Sequence, residues 1–88
     1  MTLEFRKSFA RDLKKIKEKL VLQQIKEIIE EVEQAANIGA INNLKQLKGG
    51  ESYYRIRIGD YRIGLKLENE RVVFVRFLHR KEIYRYFP

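Results

Sequence analysis

The sequence predicts an α+β fold, with an N-terminal strand and a two-helix hairpin packed on a small antiparallel β-sheet, in one domain spanning residues 1–88. Three observations carry that expectation. Apolar residues recur at helical spacing up to about residue 36, they alternate at every second position from residue 53 onward, and turn signals separate the alternating stretches. A chain this short buries a smaller share of its surface than a large protein does, so every amphipathic element must contribute to one core.

Taken in order, Thr2 to Phe5 alternates weakly and reads as a first strand. Ser8 is a candidate N-cap, followed at helical spacing by Phe9, Leu13, Ile16 and Leu20. The second helix carries Ile25, Ile28, Ile29 and Val32 on one stripe and Lys26, Glu27, Glu30, Glu31 and Glu33 on the other face. A break near Lys19 to Val21 makes the pair a hairpin, with a single bent helix as the alternative. Asn37 to Asn43 is a loop, and Leu44 to Gly50 a transition closing on the Gly49-Gly50 pair. Three strands follow, Tyr53 to Ile58, Tyr61 to Leu67 and Arg71 to Leu78, joined at Gly59-Asp60 and at Glu68-Asn69-Glu70. The third is apolar on both sides, as a buried strand is. Arg80 to Pro88 is a short helical turn or an irregular tail.

Charge points toward a partner. Lys plus Arg number 19 against 12 acids, a net charge of +7. The field of such a domain attracts polyanions, either nucleic acid or an acidic protein segment. Between residues 12 and 50 every base is lysine, whereas beyond residue 50 arginine dominates. Lysine suits a solvated helix face, and the guanidinium fork suits phosphate. Cysteine is absent, and neither a signal region nor a membrane-length apolar run appears, so a cytoplasmic location is expected with no membrane partner. One histidine, no cysteine and no clustered carboxylates on the basic face argue against a metal site, and no phosphate-cradling glycine loop or serine nucleophile motif occurs.

Side chains alternate faces along a strand, so each of the first two long strands has an apolar and a basic side. Tyr54, Ile56 and Ile58 oppose Tyr53, Arg55 and Arg57; Tyr61, Ile63, Leu65 and Leu67 oppose Arg62, Gly64 and Lys66. With helices over the apolar side, Arg55, Arg57, Arg62 and Lys66 gather on an open face, where Glu51 and Asp60 are the only acids between residues 49 and 67. A bound phosphate relieves their repulsion; the plainer reading is a solvated face of a small sheet.

The runs Leu47-Lys48-Gly49-Gly50, Tyr54-Arg55-Ile56-Arg57-Ile58-Gly59-Asp60-Tyr61-Arg62-Ile63 and Leu78-His79-Arg80-Lys81-Glu82-Ile83-Tyr84 together resemble the signature of RelE/ParE-superfamily toxins, over essentially the whole chain. The resemblance implies a RelE-like fold. It also implies a type II toxin that cleaves messenger RNA on the ribosome without metal or other cofactor. By position, Arg55 and Arg57 match the basic pair of the RelE strand, Arg62 the phosphate-binding arginine, Arg80 the arginine after the last strand and Tyr84 the tail tyrosine. The implied reaction is attack of a ribose 2′-hydroxyl on the adjacent phosphate, with Arg62 and Arg80 stabilising the phosphorane and Tyr84 stacking or assisting proton transfer.

Well-known RelE members carry lysine where this chain has Arg55 and Arg57. A guanidinium stays protonated and is a poor general base. His79 then becomes a candidate acid–base group, against a plainer reading as a strand-end residue. Tyr53, Lys66 and Tyr86 are candidate RNA contacts, while Tyr61 reads as core.

Two other functions compete, a ParE-like inhibitor of DNA gyrase and an RNA-binding or degenerate toxin that no longer cuts. The toxin readings imply a cognate acidic antitoxin, RelB-like or other. They imply mRNA and ribosome as targets, and operator DNA only as part of a toxin–antitoxin complex.

Overall fold

The computed structural model describes residues 1–48 and 52–88. Gly49, Gly50 and Glu51, which belong to the expected transition and in part to the signature run, lie outside the described residues. In chain order the elements are β1 (Thr2–Phe5), α1 (Lys7–Lys14), α2 (Lys19–Gln34), a 3-10 turn (Ile38–Ala40), β2 (Leu44–Gln46), β3 (Tyr53–Ile58), β4 (Tyr61–Glu68), β5 (Arg71–His79) and α3 (Ile83–Tyr86).

The strands form one sheet in the order β1-β5-β4-β3-β2. The three long strands are antiparallel neighbours, as their alternation and turns require. Gly59 adopts φ +54° in the β3–β4 turn, a conformation open to glycine at little cost. The expected antiparallel sheet is in fact mixed, because β1 runs parallel to β5, with Thr2 opposite Arg71 and Phe5 opposite Phe74. The interior strand β5 needs a neighbour on its outer edge, and β1 supplies one. Phe5 stacks on Phe74 with ring centroids 4.9 Å apart. Leu44–Gln46, expected as a transition, is an edge strand pairing Lys45 with Arg55.

The helices cover one sheet face. Phe9, Ile25 and Val32 pack with Ile56, Ile58, Ile63, Leu65, Val72, Phe74 and Phe77 into the main core. The break between helices falls at residues 15–18, earlier than expected. A continued helix would place Lys15 and Lys19 four residues apart, where like charges repel. Leu20 accordingly lies in the first turn of α2 and is exposed.

β1 ends opposite Phe74, so the outer edge of β5 beyond that point has no strand beside it. α1 takes over there. Ser8 Oγ donates to the Val75 carbonyl, and the Asp12 carboxylate accepts the Phe77 N–H at 2.9 Å. These contacts explain why Ser8 is not the N-cap: its hydroxyl serves a strand edge, and Arg6 occupies the cap position with no side-chain hydrogen bond.

The second sheet face is less open than alternation alone implies. Leu47, Ile83 and Phe87 form a smaller buried cluster there with Tyr53, Val75 and Leu78. The tail lies across the sheet at Gly64, where a Cβ would meet the Phe87 ring at 2.8 Å. Among the described residues, no helix is long and apolar enough to cross a membrane.

Candidate nucleic-acid interface

Strand register assembles the basic face. Arg57 lies opposite Arg62, Arg55 opposite Gly64, and Lys45 opposite Arg55, so β2, β3 and β4 contribute cations to adjoining rows. Arg62 is fastened by its own turn, its Nη1 donating to the carbonyls of Gly59 and Tyr61, both at 2.9 Å. Arg55 Nη1 donates to the Asn43 carbonyl at 3.1 Å, while its buried Nε has no partner among the described residues. Asn43 itself sits at φ +60°, a position asparagine tolerates.

Burial pulls the Arg62 pKa below its ordinary value, and the positive charges of Arg55, Arg57 and Arg80 pull it further; Tyr84 acts in the opposite direction. Each of the other four side chains therefore lies within electrostatic reach of Arg62. A guanidinium does not shed its proton under such pressure, so the repulsion remains for an anion to relieve. Among the described residues no carboxylate lies within ion-pair distance of Arg55, Arg57 or Arg62. Arg80 is 3.6 Å from Asp60 through its Nε, with both side chains largely exposed. Such a surface pair is worth about 0–1 kcal/mol and yields readily to a phosphate.

Two concavities flank the arginine rows. One, about 400 Å³, is lined by Asn43, Leu44, Lys45, Arg55 and Arg57. The other, about 390 Å³, runs between β2 and the tail and is lined by Lys45, Lys48, Tyr84 and Phe87 among others. Tyr84 is 60% exposed at this groove, free to lie against a base. Lys45 escaped the sequence reading because a three-residue strand gives almost no alternation; its pairing with Arg55 is the signal that places it.

The remaining candidates are placed elsewhere. Lys66 reaches Glu68 at 3.5 Å and sits 5.6 Å over the Tyr53 ring, in a charge-paired end of the face where Glu4 also engages Arg6 and Arg71. Tyr53 meets Phe87 edge-on at 5.5 Å, so it supports the tail. Tyr86 lies against the Arg76 guanidinium at 5.8 Å. His79 pairs in register with Tyr61, and its ring packs edge-on to Tyr61 at 5.7 Å. Tyr61 also stacks on Phe77 and packs against the main core, so the imidazole is on the helix-covered side, turned from the arginines.

A family model described as the ParE toxin of the type II toxin–antitoxin system parDE matches residues 3–84. The chain belongs to the RelE/ParE toxin superfamily. Within it the chain is RelE-like, because Toxin RelE3 of Methanocaldococcus jannaschii is 42% identical over 89 residues, covering 100% of both chains. The toxin fold is shared with the crystal structure of the RelB–RelE antitoxin–toxin complex from Methanococcus jannaschii. That match has TM-score 0.82 and 41% identity and covers 97% of this chain and 99% of that one. The intact Escherichia coli RelBE complex matches at TM-score 0.63 and 22% identity, covering 89% and 94%, a likeness of fold alone. This RelE-like protein is thus a toxin of a type II toxin–antitoxin system, in a family whose RelE branch consists of endoribonucleases.

Proposed function

We propose that this toxin is itself a metal-independent endoribonuclease that cleaves messenger RNA, on the ribosome, and that a cognate acidic antitoxin neutralises it. The observation that supports the reading best is the Arg62 guanidinium, held by two backbone carbonyls and crowded by Arg55, Arg57 and Arg80 without a carboxylate of its own among the described residues. An RNA phosphodiester fits that vacancy in charge and in donor geometry.

In this reading Arg55 and Arg57 grip the backbone on either side of the scissile phosphate. Arg62 and Arg80 donate to its non-bridging oxygens, which gain charge as the 2′-oxygen attacks. Preorganised donors of this kind are worth about 10²–10³-fold each. The 2′-oxygen forms a bond to phosphorus, the bond to the 5′-oxygen breaks, and a cyclic phosphate and a 5′-hydroxyl result. Tyr84, the phenol within electrostatic reach of Arg62, stacks on a base or passes a proton. With Arg55 and Arg57 unable to act as bases and His79 on the far side, catalysis rests mainly on in-line positioning and charge stabilisation. The RelB–RelE complex from Methanococcus jannaschii supports the expectation of an antitoxin partner, and the net charge of +7 favours an acidic one.

Arg62→Ala and Arg80→Ala test the proposal. Each should lower cleavage of message on programmed ribosomes by about 10²-fold or more, with the thermal midpoint retained. Intact message after induction of the unaltered toxin, with DNA damage in its place, would sink it.

A further inference from the structure

The imidazole of His79 is turned from the basic face, yet it is tied to the segment that carries Arg80. Its Nδ1 accepts the Lys81 backbone N–H at 3.1 Å, and its carbonyl accepts the Glu82 N–H at 2.8 Å. The Arg80 N–H, between them, donates to the Asp60 carbonyl of the β3–β4 turn at 2.7 Å. Three hydrogen bonds therefore close the turn around Arg80, and the ring that provides one of them is braced against Tyr61. A side-chain acceptor for the N–H two residues on reproduces what Asn and Asp do in an Asx turn. Imidazole can do so only while Nδ1 is unprotonated, with its proton on Nε2.

We propose that His79 is a positioning residue: its neutral Nδ1 holds the turn that aims Arg80 toward the phosphate beside Arg62. This inference rests on the reading that Arg80 acts on that phosphate. It replaces an acid–base role for His79 with a geometric one, and it carries a pH signature. A second proton converts Nδ1 into a donor facing the Lys81 N–H, two donors oppose each other, and the turn releases Arg80. The charged or titratable groups around the ring are Tyr61 of β4, Asp12 and Lys15 at the end of α1, and Glu82 of the turn itself. Asp12 is already engaged by Arg76 and by the Phe77 N–H, so it is not free to take up the imidazolium.

Two variants separate the roles. His79→Phe keeps a ring against Tyr61 and removes the acceptor. His79→Asn restores an acceptor for the N–H two residues on and cannot transfer a proton at any accessible pH. Cleavage of messenger RNA on programmed ribosomes should fall about tenfold in kcat for His79→Phe with KM nearly unchanged, as expected of a misaimed donor. His79→Asn should recover to within about threefold of the unaltered toxin. Amide exchange at Lys81 should accelerate in the Phe variant and not in the Asn variant. The rate of the Asn variant relative to the unaltered toxin should rise as the solution becomes more acidic, because a proton on Nδ1 removes the acceptor that Asn keeps. An Asn variant as impaired as the Phe variant, a Phe variant at full rate, or a flat ratio across pH overturns the proposal. Arg80→Ala, measured alongside, distinguishes the two failures. Full cleavage by Arg80→Ala overturns the underlying reading and this inference with it, whereas a disabled Arg80→Ala beside a fully active His79→Phe overturns this inference alone.

Discussion

Arg62 and Arg76 stand on neighbouring strands of one sheet, and their surroundings displace their pKa values in opposite directions. Arg76 is raised, chiefly by the hydrogen bond from its guanidinium to Asp12, with Nε–Oδ2 at 2.8 Å and Nη2–Oδ1 at 3.1 Å. Arg62 is lowered, first by burial and then by other arginines. The first guanidinium is part of the scaffold: it fixes the carboxylate that also caps the free edge of β5. Among the described residues the second is fastened only to carbonyl oxygens of its own turn, which orient it without cancelling its charge. Side-chain type is the same at both sites; what distinguishes them is that the fold supplies an anion for Arg76 and, among the described residues, none for Arg62.

That contrast is open to attack from both sides. Asp12→Ala should produce the largest effect, because it strands the Arg76 fork and the Phe77 N–H together. A loss of about 3–5 kcal/mol is expected in urea denaturation, and a loss below about 1 kcal/mol would erase the distinction. Arg62→Met should do the reverse. Stability should hold or rise by up to about 1 kcal/mol, since crowding among cations is relieved, while RNA cleavage falls by about 10²-fold or more. A clear loss of stability in Arg62→Met would recast Arg62 as scaffold.

Gly64→Ala probes the boundary between the two regions by driving a methyl into the Phe87 ring. The expected cost is about 1–3 kcal/mol, together with displacement of the tail that carries Tyr84. In Phe87→Ala the same substitution should cost less, and a thermodynamic cycle measures the difference. Asp60→Asn should change least. Stability should shift by less than about 1 kcal/mol, because the pair with Arg80 is exposed on both sides, and the Asp60 carbonyl that takes the Arg80 N–H is untouched.

The parts of this molecule that follow a local period were legible in its sequence. The α2 stripe, the alternation of β3 and β4, the turn at Gly59-Asp60 and the common face of Arg55, Arg57 and Arg62 need nothing beyond residues a few positions away. Contacts between distant parts of the chain were not. Ser8 resembles an N-cap until Val75 is seen beside it, and Asp12 resembles a surface residue of a charged helix until Arg76 and Phe77 close on it. The parallel pairing of β1 has no local signature. His79 lay beside Arg80 in the sequence, and the same alternation that grouped the arginines sends its ring to the opposite side. Phe87 over Gly64 is a contact whose local trace is only the absent side chain within a strand.

The parallel union of β1 with β5 couples the first strand of the chain to the last, Thr2 opposite Arg71. A sheet of that connectivity has a high contact order, and its outermost pairing must await the last strand to be synthesised. Arg80 and Tyr84 come later still. A chain that has reached only Arg62 therefore has neither the strand that completes the sheet nor the two tail residues that lie within electrostatic reach of that guanidinium.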